Sequence, residues 1–359
     1  MDNKKTITLT ILPGDGIGSE VMDAALLVLD AISKKKGFNF NLKHELAGGV
    51  SIDKHGFPLT DSVLQTCYDS DAVLLGALGG PKWDDLPQDQ KPEMGFLKLR
   101  KGLDLYANLR PAKPFDALLN SSSLKKEVIE DTNIMIVREL AGGIYFGEPR
   151  SYGKEEAFNT LRYNRHEIER ISKMAFELAM ARSGKLTSVD KANVLESSQF
   201  WRDQVRKIHS QYPDIVLNDM LADNAAMQIV RDPRQFDVIL TQNLFGDILS
   251  DITAMITGSL GMLPSASIGS QHAMYEPVHG TAPEIAGKNI ANPIAMITSL
   301  SMMLEFTLKD AKTSQELDQS IAQVLNEGMR TQDIAQAGDN VLKTHEMAKA
   351  IIDVFLSFS

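Results

Sequence analysis

Two rhythms of hydrophobic and polar positions alternate along the chain. Short apolar runs occur at Ile7 to Leu12, Asp71 to Gly76, Ile134 to Arg138, Leu186 to Asp190, Ile215 to Asn218 and Val238 to Thr241. Each is too short for a helix and is bounded by turn residues, so each predicts a strand. Between them, apolar residues recur at helical spacing, as in 18–36, His166 to Arg182 and Ser197 to His209. The first of these closes with Lys34, Lys35, Lys36 and then Gly37, the charge and the breaker that suit a helix C-terminus. Strands alternating with helices predict an α/β fold. Residues 147–165, with Gly147, Pro149, Arg150 and Gly153, break the alternation and predict a projecting arm or hairpin. A helical tail is expected from Ser314 to Ser359, and no internal repeat is visible.

Composition narrows the function. With 359 residues, 43% of them hydrophobic, the chain has enough core for two domains. Its 37 Lys plus Arg against 47 Asp plus Glu give a net charge of -10. Such a protein gains no counterion-release affinity for nucleic acid, and an anionic ligand needs cations gathered locally. Cys67 is the sole cysteine, so no internal disulfide forms and a reducing compartment is expected, with Cys67 a structural thiol. Lys4 and Lys5 precede a short alternating run ended by Pro13 and Gly14, which predicts a first strand and not a signal peptide. The apolar stretch Ile290 to Phe306 holds Asn292, Pro293 and several hydroxyls, and falls short of a membrane span. A soluble intracellular protein is expected.

Asp247 and Asp251 carry the strongest chemical signal. They stand four apart in a helical pattern, so both carboxylates share one face. They follow the run Phe236 to Thr241 and a turn expected at Gly246, and the carboxyl end of a strand is where α/β sheets bind ligands. Two carboxylates there suit a hard divalent cation such as magnesium. An acidic first turn complementing the helix dipole is the plainer explanation for the pair alone. Asp223 is a third candidate ligand.

Arg100, Arg110 and Arg138 end or interrupt apolar segments. Each could be a structural salt bridge, but three in an acidic protein favour bidentate binding of a small polycarboxylate. Tyr145 follows a Gly-Gly pair and adjoins the polar arm. Lys191 and Asn193 stand at the end of a strand, where a desolvated lysine can act as a base. The segment from Tyr275 to Pro293 predicts a long functional loop in which His279, Gly280, Glu284 and Asn292 offer nucleotide contacts. The turn from Leu12 to Glu20 has glycines at 14, 16 and 18, which is not G-x-G-x-x-G, and no Rossmann site follows from it.

These motifs together resemble the isocitrate/isopropylmalate family of β-decarboxylating dehydrogenases. The resemblance covers Leu12 to Glu20, Gly79 to Trp83, Pro92 to Gly95, Leu99 to Lys101, Asn108 to Pro111, Arg138 to Arg150, Val189 to Leu195, Asn243 to Asp251 and Glu276 to Pro293. Tyr145 to Arg150 resembles the isopropylmalate branch.

The resemblance implies two α/β domains sharing a large mixed sheet, with an arm and no Rossmann fold. It implies a discontinuous nucleotide-binding domain, 1–105 and 258–359, and a substrate, metal and dimerisation domain, 106–257. It further implies cytoplasmic NAD-dependent oxidative decarboxylation of 3-isopropylmalate in leucine biosynthesis, by a homodimer with shared active sites. A sibling activity on tartrate, malate or homoisocitrate is the alternative.

By the same resemblance, Arg100, Arg110 and Arg138 clamp carboxylates, while Phe96, Leu97 and Asn193 complete the substrate pocket. Magnesium or manganese is held by Asp247, Asp251 and a second subunit's Asp223. Lys191, also from the second subunit, and Tyr145 move protons. NAD meets Ile17, Glu93, His279, Gly280, Ala282, Glu284, Ile285 and Asn292. Three positions depart from the family's habit: Glu284 for Asp, Phe96 for Leu, and Ser19 for Pro.

Overall fold

The computed structural model describes residues 6–358; Lys4, Lys5 and Ser359 lie outside the described residues. Among the described residues, one compact unit comprises 6–105, 115–121 and 258–358, and a second comprises 106–114 and 122–257.

Ten of the described strands form the main strand orders of the two units. They are β1 Thr6–Gly14, β2 Asn39–His44, β3 Ala72–Ala77, β4 Leu105–Ala112, β5 Ile134–Glu139, β6 Lys185–Asp190, β7 Val216–Leu221, β8 Val238–Thr241, β9 Pro264–Gly269 and β10 Ala273–Pro277. In the first unit the order is β2-β1-β3-β10-β9, parallel except for the β9–β10 pair. In the second it is β4-β5-β8-β6-β7, parallel except for β4–β5. Strand directions are therefore mixed and the class is α/β, as expected.

The first unit's core surrounds the helix Ile294–Phe306, which packs on β9, β10 and the helices Gly18–Lys36 and Ala311–Asn326. This helix is apolar on every side, with Ile294, Met296, Ile297, Leu300, Met303 and Leu304 fully buried. Such an all-round pattern belongs to a buried helix. No described helix is long and apolar enough to cross a membrane. Cys67 is buried, and burial pushes its thiol up to about 12, so it stays an unreactive packing group.

Several expectations are corrected. The tail is not one helical stretch: helices Ala311–Asn326 and Thr344–Ser357 flank a short strand pair, Met329–Arg330 with Asn340–Val341. Glycines 328 and 338 break the helical pattern there, with φ of 81° and 97°. Gly246 forms no turn but lies inside the helix Asn243–Ala254. Tyr275 and Glu276 belong to β10, so the long loop begins only after Pro277. Strands β2, β4 and β9 went unpredicted because their apolar residues are interrupted by polar ones, and β7 runs on to Leu221 for the same reason. In the expected arm, Ser151–Tyr152 pairs antiparallel with Ala157–Phe158, and both strands are exposed.

Candidate active site

The helix Asn243–Ala254 follows β8 after one residue and organises the second unit's chemistry. Asn243, Asp247, Ser250 and Asp251 recur at helical spacing and form one polar stripe. That stripe faces two arginines from the antiparallel pair β4–β5. Arg138, near the end of β5, is 2% exposed. Its Nε and Nη2 donate to Asn243 Oδ1 at 3.1 and 2.8 Å, and its Nη1 donates to Asp247 Oδ1 at 2.5 Å. Arg110 on β4 donates to Asn108 Oδ1 and Ser250 Oγ, each at 2.7 Å. Its guanidinium also lies 3.8 Å from Asp247 and 3.6 Å from Asp251.

Tyr145 completes this group by donating its hydroxyl to Asp247 Oδ2 at 2.9 Å. Burial, and then the Asp247 charge, raise the phenol's pKa, so it holds its proton through the neutral range. Partial desolvation raises the Asp251 carboxyl, with Arg110 pulling the other way and Asp247 adding repulsion. Two cations and two anions balance. The cluster accepts a dication most readily together with an anionic ligand.

Gly246 makes the geometry possible. A Cβ there would sit 2.5 Å from Arg138 Cγ, so the bare backbone lets the buried arginine stem cross the helix. Alanine normally stabilises a helix interior over glycine by about 1 kcal/mol. Gly246→Ala is expected to do the reverse, with overpacking costing about 1–3 kcal/mol. Urea denaturation of both proteins checks the sign; a stabilised variant would show that the contact yields freely.

Lys191 and Asp223 form a separate pair, Nζ to Oδ1 at 2.7 Å, and Lys191 holds the exposed Asp223 carboxyl below its usual range. Asn193, beside them, is exposed. Among the described residues, no three of His, Cys, Asp and Glu gather into a metal-holding group. Asp223 thus does not join Asp247 and Asp251 within the chain. The Asp247–Asp251 pair nonetheless offers the all-oxygen donors that a hard divalent cation takes.

In the first unit, Arg100 lies in the helix Pro92–Gly102 and is 6% exposed. It donates to Glu276 Oε1 at 3.3 Å, and its guanidinium stands 3.7 Å from the Phe96 ring centre. Leu97 is half-buried beside Phe96, while Glu93, in the helix's first turn, is exposed and stands over Gly79.

The early glycine turn is a packing device. Gly16 has φ of 55°, and a Cβ on it would meet the Thr281 carbonyl at 2.1 Å. The adjacent Ile17 amide donates to that same carbonyl at 2.9 Å. Buried Asp15 accepts the Gly49, Val50 and Gly79 amides at 2.8, 2.8 and 2.9 Å. The turn therefore docks Ile17 onto the loop that carries His279, Gly280, Ala282, Glu284 and Ile285. His279 Nδ1 pairs with the Gly280 carbonyl, while its buried Nε2 has no partner. Burial lowers the His279 pKa, so the ring is neutral. A buried ring nitrogen without a protein partner on a loop of this kind suits a polar heterocycle such as a nucleotide base. The Asn292 side chain accepts the Ile294 amide and donates to Asp333, at the entry to the helix Ile294–Phe306. Glu284 is exposed.

Asn243, Ser250, Asn108 and Glu276 were not singled out in the sequence. Asn243 and Ser250 share the helical spacing of the two aspartates, which is the signal that could have found them. For Glu276 no local signal exists.

The profile described as isocitrate/isopropylmalate dehydrogenase matches residues 8–351. A 3-isopropylmalate dehydrogenase of Chlorobium chlorochromatii is 57% identical, covering 95% of this chain and 97% of its own. One from Aquifex aeolicus is 52% identical, covering 97% of each. Among solved structures, isocitrate dehydrogenase from Methylococcus capsulatus aligns at 36% identity and a TM-score of 0.85, over 97% of this chain and 99% of that one. A β-decarboxylating dehydrogenase from Thermococcus kodakarensis aligns at 35% identity and a TM-score of 0.81, over 98% and 96%.

Proposed function

Because the chain belongs to the isocitrate/isopropylmalate dehydrogenase family, we propose that it oxidatively decarboxylates 3-isopropylmalate with NAD, yielding 4-methyl-2-oxopentanoate and carbon dioxide in leucine biosynthesis. The observation that carries this reading is the polar helix stripe, with Asp247 and Asp251 set against Arg110, Arg138 and Tyr145. Relatives at 52–57% identity are named for this substrate, which disfavours tartrate, malate or homoisocitrate.

In this reading Arg100, Arg110 and Arg138 bind the substrate carboxylates, since guanidinium forks match that geometry. Magnesium or manganese, when bound, would supply Lewis acidity for the substrate hydroxyl and for the charge left by decarboxylation, and NAD would supply the hydride acceptor. Asp247 and Asp251 hold the cation together with the partner subunit's Asp223. The partner subunit's Lys191 takes the hydroxyl proton. Tyr145, kept protonated by burial and by Asp247, returns a proton to the enolate carbon. Phe96, Leu97 and Asn193 complete the substrate pocket. On the cofactor side, Glu93 serves the nicotinamide, and Ile17 with His279, Gly280, Ala282, Glu284, Ile285 and Asn292 serves the adenosine.

A homodimer is supported by two adjacent helices of the second unit, Ala222–Arg231 and Asn243–Ala254. They and the residue that ends the second expose Met227, Val230, Ile248 and Met255, each at 46–61%. Large apolar side chains clustered on neighbouring helices mark an interaction surface. The cytoplasm is the compartment this metabolic role implies.

Absorbance of reduced nicotinamide, followed with 3-isopropylmalate, NAD and magnesium, tests the reading; faster turnover of another 2-hydroxy diacid would reassign the substrate. Cofactor choice gives a further expectation. Glu284 can accept hydrogen bonds from ribose hydroxyls and repels a 2′-phosphate. A like-charge clash of ~2 kcal/mol gives a preference for NAD of about 30-fold in kcat/KM. Equal efficiency with NADP would remove Glu284 from the cofactor site.

A further inference from the structure

The reaction above leaves unused a carboxylate directly behind the clamp. Glu139 ends β5 with no exposure. Its Oε1 accepts the Ala141 amide and its Oε2 the Gly142 amide, both at 2.8 Å. These bonds fold the chain into the short turn Gly143–Tyr145. The Gly142 carbonyl then accepts Asn243 Nδ2 at 3.2 Å, and Asn243 Oδ1 is the acceptor that holds Arg138. Tyr163 backs the assembly: its hydroxyl accepts the Asn243 amide at 2.9 Å. A Cβ on Gly143 would fall 2.4 Å from that hydroxyl, so the turn is seated against Tyr163.

We propose that Glu139 is a positioning residue for this reaction, its ionised carboxylate fixing the 140–145 turn and, through it, both the Tyr145 phenol and the Asn243–Arg138 clamp. The inference rests on the activity proposed for Tyr145 and Arg138. Two amide donors need two acceptor oxygens. A glutamine offers one oxygen and turns an NH2 toward the second amide, which leaves donor facing donor.

Burial pushes the Glu139 carboxyl up to about 7, with the two amides opposing. Glu167 adds repulsion and Arg170 offsets it, both from the helix Arg165–Met180; Tyr163 also faces the group, and Tyr106 on β4 stacks on Arg170. The direction of linkage follows. A carboxyl raised from 4.5 to about 7 contributes stability that is fully present below 4.5 and lost as pH rises through 7. Activity runs the other way, because only the ionised group accepts both amides.

The test compares the full-length protein with Glu139→Gln, reading kcat from pH 5.5 to 9 and amide hydrogen exchange of peptides spanning 140–146. Wild-type kcat should fall about tenfold per pH unit below 7. Exchange at 140–146 should quicken over the same range by ~tenfold or more after correction for intrinsic rates. Glu139→Gln should show neither pH dependence, with kcat at pH 8 as low as the wild type's near pH 6 and fast exchange throughout. A variant with wild-type kcat and slow exchange overturns the proposal, as does wild-type exchange that is flat across pH 7. If the variant does not fold, the wild-type exchange profile decides alone. If the protein fails to turn over 3-isopropylmalate, the assigned activity falls, while the exchange result still reports on the carboxylate and the turn.

Discussion

Asp247→Asn is expected to lower turnover by about three orders of magnitude, the ~4 kcal/mol that cation-borne stabilisation of charge supplies. It should also weaken the fold, and that second effect separates it from Asp251→Asn. Asp247 accepts hydrogen bonds from Nη1 of a nearly unexposed arginine and from the Tyr145 hydroxyl, so neutralising it strips the charge facing buried Arg138. Charge-assisted hydrogen bonds of this kind are worth about 1.5–3 kcal/mol. Asp251 has a side chain 64% exposed and only a 3.6 Å approach to Arg110, so Asp251→Asn should lose activity while melting at nearly the wild-type temperature. Manganese titration, kcat and thermal denaturation on both variants check this. Full turnover by wild-type protein stripped with a chelator would sink the metal role for both aspartates.

The second large effect concerns two inactive proteins that restore each other. Lys191→Ala and Asp247→Asn should each be inactive alone. If Lys191 and Asp223 serve the partner's site, a mixed dimer has one site with both residues intact and one carrying both lesions. Random re-association makes half of the dimers mixed, so about one quarter of wild-type activity should return for a two-fold interface. Recovery should need co-expression or joint refolding. Mixed dimers isolated by two tags that remain inactive would place each site within one chain. The motive lies in the pairing: Lys191 and Asp223 hold each other at 2.7 Å, and no third acid joins Asp247 and Asp251 among the described residues.

What the sequence made legible follows periodicity. Asp247 and Asp251 could be placed on one face because a helix has a fixed pitch, and Asn243 and Ser250 were readable by the same rule. Arg138 could be read as buried because it closes an apolar strand. Contacts set by topology were not readable. Arg100 finds Glu276 across 176 residues, and nothing local to either residue announces the other. β4 was missed because Asn108, Arg110 and Pro111 interrupt its apolar positions, although the strand presents Arg110 to the helix. The Gly246 misreading has one cause: glycine usually marks a turn, and here it marks a close approach by a side chain.

The strand order of the first unit bears on how the protein is made. β3, buried along its whole length, lies between β1 and β10, and β10 is encoded some two hundred residues later. During synthesis, the β3 edge that pairs with β10 stays open until residues 273–277 emerge. The second unit, 106–114 and 122–257, has every strand it needs before then. A nascent chain paused after residue 257 therefore pairs a finished unit with an exposed strand edge, the species that chaperones hold and that aggregates when they do not.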